Sequence, residues 1–402
     1  MIVFTLAATP AMAADCSISP IYVDGVAFGD LPGALASVSA NSTIEICAGT
    51  YTGTFEAPVA VHLVGIDGAS QTVLDGDFLG TVLTLPAGSS LTGLTVTHGA
   101  SLTNGGGVVL SSAGRLDIVE TEIVDNHAES FGGGLFVPGG SEVHFSGSRV
   151  ASNSARDGGG LANETGSVDL ALGDSVFEDN EALGEPVSTF SARAGRGGGI
   201  FLAEGGISDG LVTDNLAFND DFFFVPIGVG GGISANGPVR IERTSIVGNV
   251  ARSGGGLRLT SDTDLEDVVI EGNQGTTGGG GLEIRTLQDE VEITAYGTVI
   301  EDNTTNGSGG GISAFASGDR LRWSGGRVID NFASNSGGGW YSLNGFNEVV
   351  DVEFRDNEAG RFGGGLGTNF GSTFFPSSID IEGCTFSGNS AQLGDGGGAD
   401  LG

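Results

Sequence analysis

Short segments of the chain alternate apolar and polar residues. Val143 and Phe145 form one such apolar pair, and Leu257 and Leu259 form another. A two-residue period is that of a β-strand with one buried and one exposed face, whereas an amphipathic helix has a period of 3.6 residues. Because these segments are short and recur along most of the sequence, they predict a repetitive all-β protein with two or three strands per repeat.

The repeat has two constant elements. One is an aliphatic residue or phenylalanine three positions before an asparagine, and the other is a run of three glycines followed by an apolar residue. The asparagines recur about every 29 residues, which is within the range of solenoid repeats. They are Asn126, Asn153, Asn180, Asn215, Asn249, Asn273, Asn303, Asn331, Asn357 and Asn389. Leucine-rich repeats and nine-residue calcium-binding rolls have other patterns, so the sequence favours a parallel β-helix with one repeat per coil.

Stacking of coils accounts for both elements. Successive coils lie about 4.8 Å apart, so equivalent residues form columns. We expect the asparagine amides to hydrogen-bond along their column and the asparagines to adopt the left-handed backbone of a sharp turn. The glycine runs permit positive φ and close approach of successive coils at the next corner.

The ends of the chain differ from the repeats. Residues 1–13 contain a short apolar run and an A-x-A sequence, which predict a secretory signal peptide; a buried N-terminal strand is the alternative. Helical spacing of apolar residues predicts a short helix over 31–39 that covers the first coil. One β-helix domain is expected over 14–402, with irregular coils in 14–100 and regular repeats in 101–402. Because the sequence stops within a repeat, we expect its C-terminal cap to be missing.

Composition excludes several kinds of function. Asp and Glu number 50, Lys and Arg together 15, and the net charge is −35. This charge disfavours nucleic acid and anionic membranes as partners. The sequence contains no lysine, no GxSxG or HExxH motif, and no CxxC pair, and its four histidines share no repeat position. We therefore predict no catalytic residue and no cofactor other than a calcium ion.

The cysteines and a column of aspartates suggest two local features. Cys16 and Cys47 are expected to form a disulfide in an oxidising compartment. Asp302, Asp330 and Asp356 directly precede the repeat asparagines of consecutive coils. Carboxylates so close together either bind calcium or form a solvated acidic edge, and both interpretations stay open.

Two insertions provide a candidate contact surface. The spacer between asparagine and glycine run is 16 residues after Asn180 and 14 after Asn215, against four to six elsewhere. Both insertions fall at the same corner of adjacent coils, so they are expected to emerge side by side. The candidate contact residues are Arg193, Arg196, Phe218, Phe222, Phe223 and Phe224. The alternative is that the aromatic residues fold back over the solenoid wall.

Two families share these motifs. The segment 43–99, with its GTY, LVG, LDG and GLTV steps, resembles the opening of pectate-lyase-like right-handed β-helix proteins. The asparagine and GGG[LI] elements resemble the paired FxxN and GGA[ILV] repeats of polymorphic outer membrane proteins, which are surface autotransporters associated with adhesion. Here GGG replaces GGA, and valine or isoleucine often replaces phenylalanine. The resemblance implies a right-handed, pectin-lyase-like parallel β-helix over nearly all of 43–402.

The resemblance implies two functions. The first is a secreted or surface-exposed, non-catalytic adhesin-like passenger or stalk at the outer membrane. Its partner would be a surface protein or polysaccharide of a host or neighbouring cell, and it would reach the membrane only through a segment outside this chain. The second is an extracellular polysaccharide lyase or glycoside hydrolase acting on acidic polysaccharide. If the chain is such an enzyme, we expect its carboxylates to cluster in a groove on one outward sheet face.

Overall fold

The computed structural model describes residues 14–184, 194–218, 228–286, 291–315, 320–343, 345–368, 378–394 and 396–401. These residues wind into a β-solenoid of about 11 turns, which confirms the predicted parallel β-helix. A full coil contributes one strand to each of four sheets, one or two more than the repeat pattern predicts. We number the sheets I to IV in the order in which a coil enters them.

The strands of each sheet pair in parallel from one coil to the next, apart from the first two strands of sheet I. Sheet I contains Ile21–Val23, Val26–Phe28, Ser42–Ile46, Val61–Gly65, Ser89–Thr92, Arg115–Val119, Ser141–Ser146, Ser167–Ala171, Glu204–Ser208, Val239–Glu242, Thr263–Glu266, Glu292–Tyr296, Arg320–Ser324, Phe346–Val350 and Ser378–Glu382. Sheet II contains Gly49–Thr52, Thr72–Asp75, Thr95–Thr97, Glu122–Val124, Arg149–Ala151, Val176–Glu178, Leu211–Thr213, Ser245–Val247, Val269–Glu271, Val299–Glu301, Arg327–Ile329, Glu353–Arg355 and Thr385–Ser387.

The other two sheets consist mostly of shorter strands. Sheet III contains Ala100–Ser101, His127–Phe131, Ser154–Asp157, Glu181–Ala182, Leu216–Ala217, Val250–Ser253, Gln274–Gly278, Thr304–Thr305, Phe332–Ala333, Glu358–Ala359 and Ser390–Ala391. Sheet IV contains Phe55–Glu56, Leu83–Leu85, Val108–Leu110, Leu135–Phe136, Leu161–Ala162, Ile200–Leu202, Ile233–Ala235, Leu257–Leu259, Leu282–Arg285, Ile312–Phe315, Trp340–Leu343, Leu366–Thr368 and Ala399–Asp400.

The ten repeat asparagines lie in single file between sheets II and III. At Asn273, for example, Oδ1 accepts hydrogen bonds from Nδ2 and the backbone N–H of Asn249, at 3.0 and 2.9 Å. Asn273 Nδ2 donates in turn to Asn303 Oδ1 and to the Ile246 carbonyl. The amide-to-amide bonds join all ten asparagines without a break. Each coil therefore satisfies buried polar groups of the coil before it.

The left-handed backbone at this corner belongs to the residue before each asparagine. Asp302 has φ 53° and Gly272 has φ 63°. Serine occupies the same position at Ser152, with φ 53°. Our expectation that the asparagines themselves are left-handed is wrong; they instead keep their amides in line with those of neighbouring coils.

Close approach of the coils explains the glycine runs. The first glycine of a run has positive φ, as at Gly254 (59°), and starts the corner between sheets III and IV. The next two have no room for a side chain. A Cβ on Gly255 would lie 2.4 Å from the Gly280 carbonyl oxygen, and one on Gly256 would lie 2.8 Å from Asn273 Cγ. The third glycine thus packs on the amide column of the following coil.

The N-terminal end of the core is covered by a helix and a β-hairpin. The helix is Leu31–Ser37, two residues shorter than predicted, and Asp30 caps it by accepting a hydrogen bond from the Gly33 N–H at 2.7 Å. The strand Ile21–Val23 pairs antiparallel with Ser42–Ile46, a hairpin extension that the repeat pattern does not predict. Among the described residues, no helix is long and apolar enough to cross a membrane.

The structure joins Cys16 to Cys47 in a disulfide, 31 residues apart in sequence. Closing a loop of this length stabilises the folded chain by about 3.5 kcal/mol in the chain-entropy model. We expect Cys16→Ser with Cys47→Ser to lower the free energy of unfolding of the first coils by about that amount, measured by hydrogen exchange. Cys384→Ser, which breaks no disulfide, serves as the control. Equal exchange in the double variant and the unchanged protein would contradict this expectation.

Candidate functional site

A groove of about 700 Å³ crosses the outward face of sheet I. It crosses the strand Glu204–Ser208, of which Glu204 and Gly205 line it. The next residue, Gly206, lies in register between Asp169 of the preceding coil and Arg240 of the next, and it lines the adjoining depression described below. Gly205 is in register with Val168 and Val239, is partly exposed and has φ 132°, a backbone conformation that favours glycine. The groove and this depression therefore lie where one coil has glycines in place of larger residues.

The walls of the groove are mostly acidic. The carboxylates that line it are Asp169, Glu204, Asp262, Asp264 and Glu292. Arg240 is the cationic side chain in the lining, and it is paired with Glu242 and, at 2.9 Å, with Glu266. The Thr294 hydroxyl group donates a hydrogen bond to the Asp264 carboxylate. The groove thus presents many hydrogen-bond acceptors around one partly neutralised guanidinium.

A second depression, of about 330 Å³, continues the groove toward the N-terminal coils and shares Asp169 and Arg240 with it. There His144 Nε2 lies 2.5 Å from Glu142 Oε1. Arg243 binds both carboxylate oxygens of Asp209, at 2.6 and 2.9 Å. Its hydrogen bond lowers the pKa of the Asp209 carboxyl group, and the same contact raises the pKa of Arg243. Asp209 therefore stays charged at mildly acidic pH.

The chemistry of the groove suits a ligand rich in hydrogen-bond donors. Carboxylates accept hydrogen bonds from hydroxyl or amino groups, whereas they repel another anion at short range. Among the described residues, no group of three or more His, Cys, Asp or Glu side chains is placed to hold a metal ion.

The aspartates considered for calcium binding lie at the left-handed corner position. Asp302, Asp330 and Asp356 have φ values of 53°, 55° and 53°, and their side chains are exposed. Aspartate tolerates this backbone better than most residues, and glycine takes its place in other coils. Arg355 donates a hydrogen bond of 2.7 Å to Asp356. The left-handed backbone is therefore one reason why aspartate recurs at this position.

The two insertions lie at the same corner, as their position in the repeat implies. Their flanking strands Glu181–Ala182 and Leu216–Ala217 are paired neighbours in sheet III. The candidate contact residues Arg193, Phe222, Phe223 and Phe224 lie outside the described residues. Phe218 is partly buried, and its backbone N–H donates to the Ala182 carbonyl.

Arg196 is engaged within the solenoid. Its side chain is 16% exposed, and its Nε and Nη2 bind the two carboxylate oxygens of the buried Asp157, at 2.9 and 2.8 Å. The guanidinium also lies over the Phe201 ring, 4.1 Å from the centroid. This arrangement fixes the end of the first insertion to the wall, and it leaves little of Arg196 for an outside partner.

The groove residues were missed by sequence reasoning, although a signal exists. Alternating apolar pairs mark the sheet I strands at Val168/Leu170 and at Val239/Ile241. The coil between them has Glu204-Gly205-Gly206-Ile207 in place of such a pair. The site is therefore marked by the one coil in which the alternating apolar pair of sheet I is interrupted by glycines. Comparison of the chain with protein-family models, with curated proteins and with solved structures gives no match.

Proposed function

We propose that the chain is a non-catalytic, adhesin-like surface protein that binds a polysaccharide in the groove of sheet I. The observation that carries the proposal is the groove with its adjoining depression, where Gly205 and Gly206 leave the face of sheet I open between acceptor-lined walls. The solenoid serves as a stalk in this proposal. The column of amides from Asn126 to Asn389 supports that role, because it ties every coil of this region to its neighbour.

The charge of the groove favours a neutral polysaccharide over an acidic one. Among the described residues, five carboxylates and one cation, Arg240, line the groove, and Arg240 already pairs with Glu242 and Glu266. Sugar hydroxyl groups can donate to these carboxylates, whereas uronate groups would meet like charge. The proposed partner is therefore a neutral polysaccharide on the surface of a host or neighbouring cell.

The proposal includes export from the cytoplasm. The disulfide between Cys16 and Cys47 supports it, because structural disulfides are typical of exported proteins. The signal peptide predicted over 1–13 agrees with this location.

A polysaccharide-cleaving enzyme is the second candidate. The observation in its favour is that carboxylates such as Asp169 and Asp264 line one groove on one outward face. Glycoside hydrolases use a pair of carboxylates on either side of the bond that they cleave. Such an enzyme would have to act on a neutral chain or to recruit cations for an acidic one.

A binding experiment distinguishes these functions. We expect neutral hexasaccharides of glucose, xylose or N-acetylglucosamine to bind in calorimetric titrations without release of shorter products. Gly206→Leu places a side chain in the depression that adjoins the groove, between Asp169 and Arg240, which line both. The atoms nearest to its Cβ would be Asp169 Oδ1 at 3.1 Å and the Arg240 carbonyl oxygen at 3.8 Å, so the fold should tolerate it. It should weaken binding at least tenfold, whereas Ser324→Leu, at an exposed position of the same sheet, should not.

Two outcomes would contradict the proposal, the first its non-catalytic function and the second its ligand. Release of shorter oligosaccharides, abolished by Gly206→Leu, would favour the enzyme. Binding of a hexagalacturonate, but of no neutral sugar, would contradict the charge argument and with it the proposed ligand.

A further inference from the structure

Three strongly exposed apolar side chains lie on adjacent loops near the N-terminal end of sheet III. Phe78 is 64% exposed, Leu79 is 70% exposed and Leu102 is 85% exposed. Hydrogen bonds from Phe78 N–H to the His98 carbonyl, and from the Ala100 N–H to the Gly80 carbonyl, hold the two loops in neighbouring coils. We call Phe78, Leu79 and Leu102 the apolar tip. It is separate from the groove on sheet I.

The backbone at the apolar tip is unfavourable for the residue it carries. Phe78 has φ 58°, and among the described residues it is the only apolar side chain with a left-handed backbone. Glycine would adopt this conformation without strain. The Phe78 ring packs against His98, with 5.1 Å between ring centroids, yet most of the side chain is in solvent. A bulky residue kept in strain and largely unburied points to a role outside the fold.

Acidic groups surround the apolar tip. Asp77 directly precedes Phe78, and His98 Nδ1 lies 3.1 Å from both carboxylate oxygens of Asp75. Burial alone would raise the pKa of Asp75, but hydrogen bonds from the Asp77 N–H and from His98 lower it. The Asp75 carboxylate therefore stays ionised at neutral pH. Together with the chain charge of −35, it disfavours an anionic lipid surface and favours a partner with cationic groups.

We propose that the apolar tip inserts into an apolar cleft of a protein partner whose rim carries lysine or arginine side chains. Phe78, Leu79 and Leu102 supply the buried centre of this contact, and Asp77 and Asp75 face the cationic rim. Protein interfaces commonly have a desolvated centre enriched in aromatic residues and a polar rim around it. In this proposal the strained backbone of Phe78 holds its ring exposed in the unbound protein, ready to contact the partner.

Selection from a random dodecapeptide library on the immobilised chain tests the proposal. We expect the selected peptides to combine apolar residues with lysine or arginine. Their affinity should fall at least tenfold for Phe78→Ser/Leu79→Ser and for Leu102→Ser alone. It should not change for Ile66→Ser, which removes another exposed apolar side chain of the N-terminal coils. Circular dichroism of each variant verifies folding.

A second measurement separates binding from stability. Phe78→Gly relieves the left-handed strain, so the urea midpoint of unfolding should rise while peptide binding is lost. A lower midpoint would show that Phe78 stabilises the fold, and it would overturn the proposal. Peptides without cationic residues, or peptides that bind the Ser variants as well as the unchanged chain, would also overturn it. Flotation of the chain with neutral phosphatidylcholine vesicles, lost in the Ser variants, would identify a lipid surface instead and reject the protein cleft.

Discussion

Gly255→Ala is expected to lower the free energy of unfolding by about 3 kcal/mol or more. The added Cβ would lie 2.4 Å from the Gly280 carbonyl oxygen and 2.5 Å from that of Gln274. Both atoms belong to the backbone of the next coil, so no side-chain rotation relieves the contact. The coils must move apart, which stretches the hydrogen bonds between them. Urea unfolding followed by tryptophan fluorescence measures the loss, because the only two tryptophans, Trp323 and Trp340, are buried.

The control for this prediction is Gly29→Ala. A Cβ on Gly29 meets no atom within 4 Å, and its φ is not in the left-handed region. We expect its free energy of unfolding to change by less than about 0.5 kcal/mol. If both alanine variants unfolded at the same urea concentration, tight coil contact would not be the reason for the glycine runs.

Asn273→Ala is expected to cost about 3 kcal/mol of stability, because it leaves buried polar groups without partners. The Asn249 N–H loses its acceptor, and the Ile246 carbonyl loses a donor. Water cannot replace these bonds, since Asn273 and Asn249 are fully buried. The same urea experiment measures the change.

Two further variants test the role of burial. Asn306→Ala removes an exposed asparagine outside the column and should have little effect. Asn389→Ala removes the last amide of the column, which is partly exposed, so solvent should compensate part of the loss. A cost at Asn389 equal to that at Asn273 would contradict the explanation from burial.

The periodic parts of the fold were predictable from the sequence. The apolar residue three positions before the asparagine is fully buried in nine of the ten repeats, as at Ile246 and Phe354, and partly buried at Phe386 in the last. The coil repeats its backbone and so repeats the direction of this side chain. Spacing alone cannot reveal which residue of the corner is left-handed. Aspartate, serine and glycine share that position, and only the backbone dihedrals show that they share it for their conformation.

Features that occur once were harder to predict. Sheet III was missed because strands such as Glu181–Ala182 are only two residues long and show no alternation. The groove and its adjoining depression depend on a single coil, in which Gly205 and Gly206 replace larger residues, so they leave no repeated signal. The apolar tip depends on the dihedral angle of Phe78, which the sequence does not encode in any visible pattern.

The file of asparagine amides has a direction. In every link, Nδ2 donates toward the C-terminal neighbour and Oδ1 accepts from the N-terminal one. Each amide group carries a dipole of about 3.5 D, and dipoles aligned head to tail add along their axis. The solenoid therefore has an electrical polarity within its wall, with its positive pole toward Asn389 and its negative pole toward Asn126.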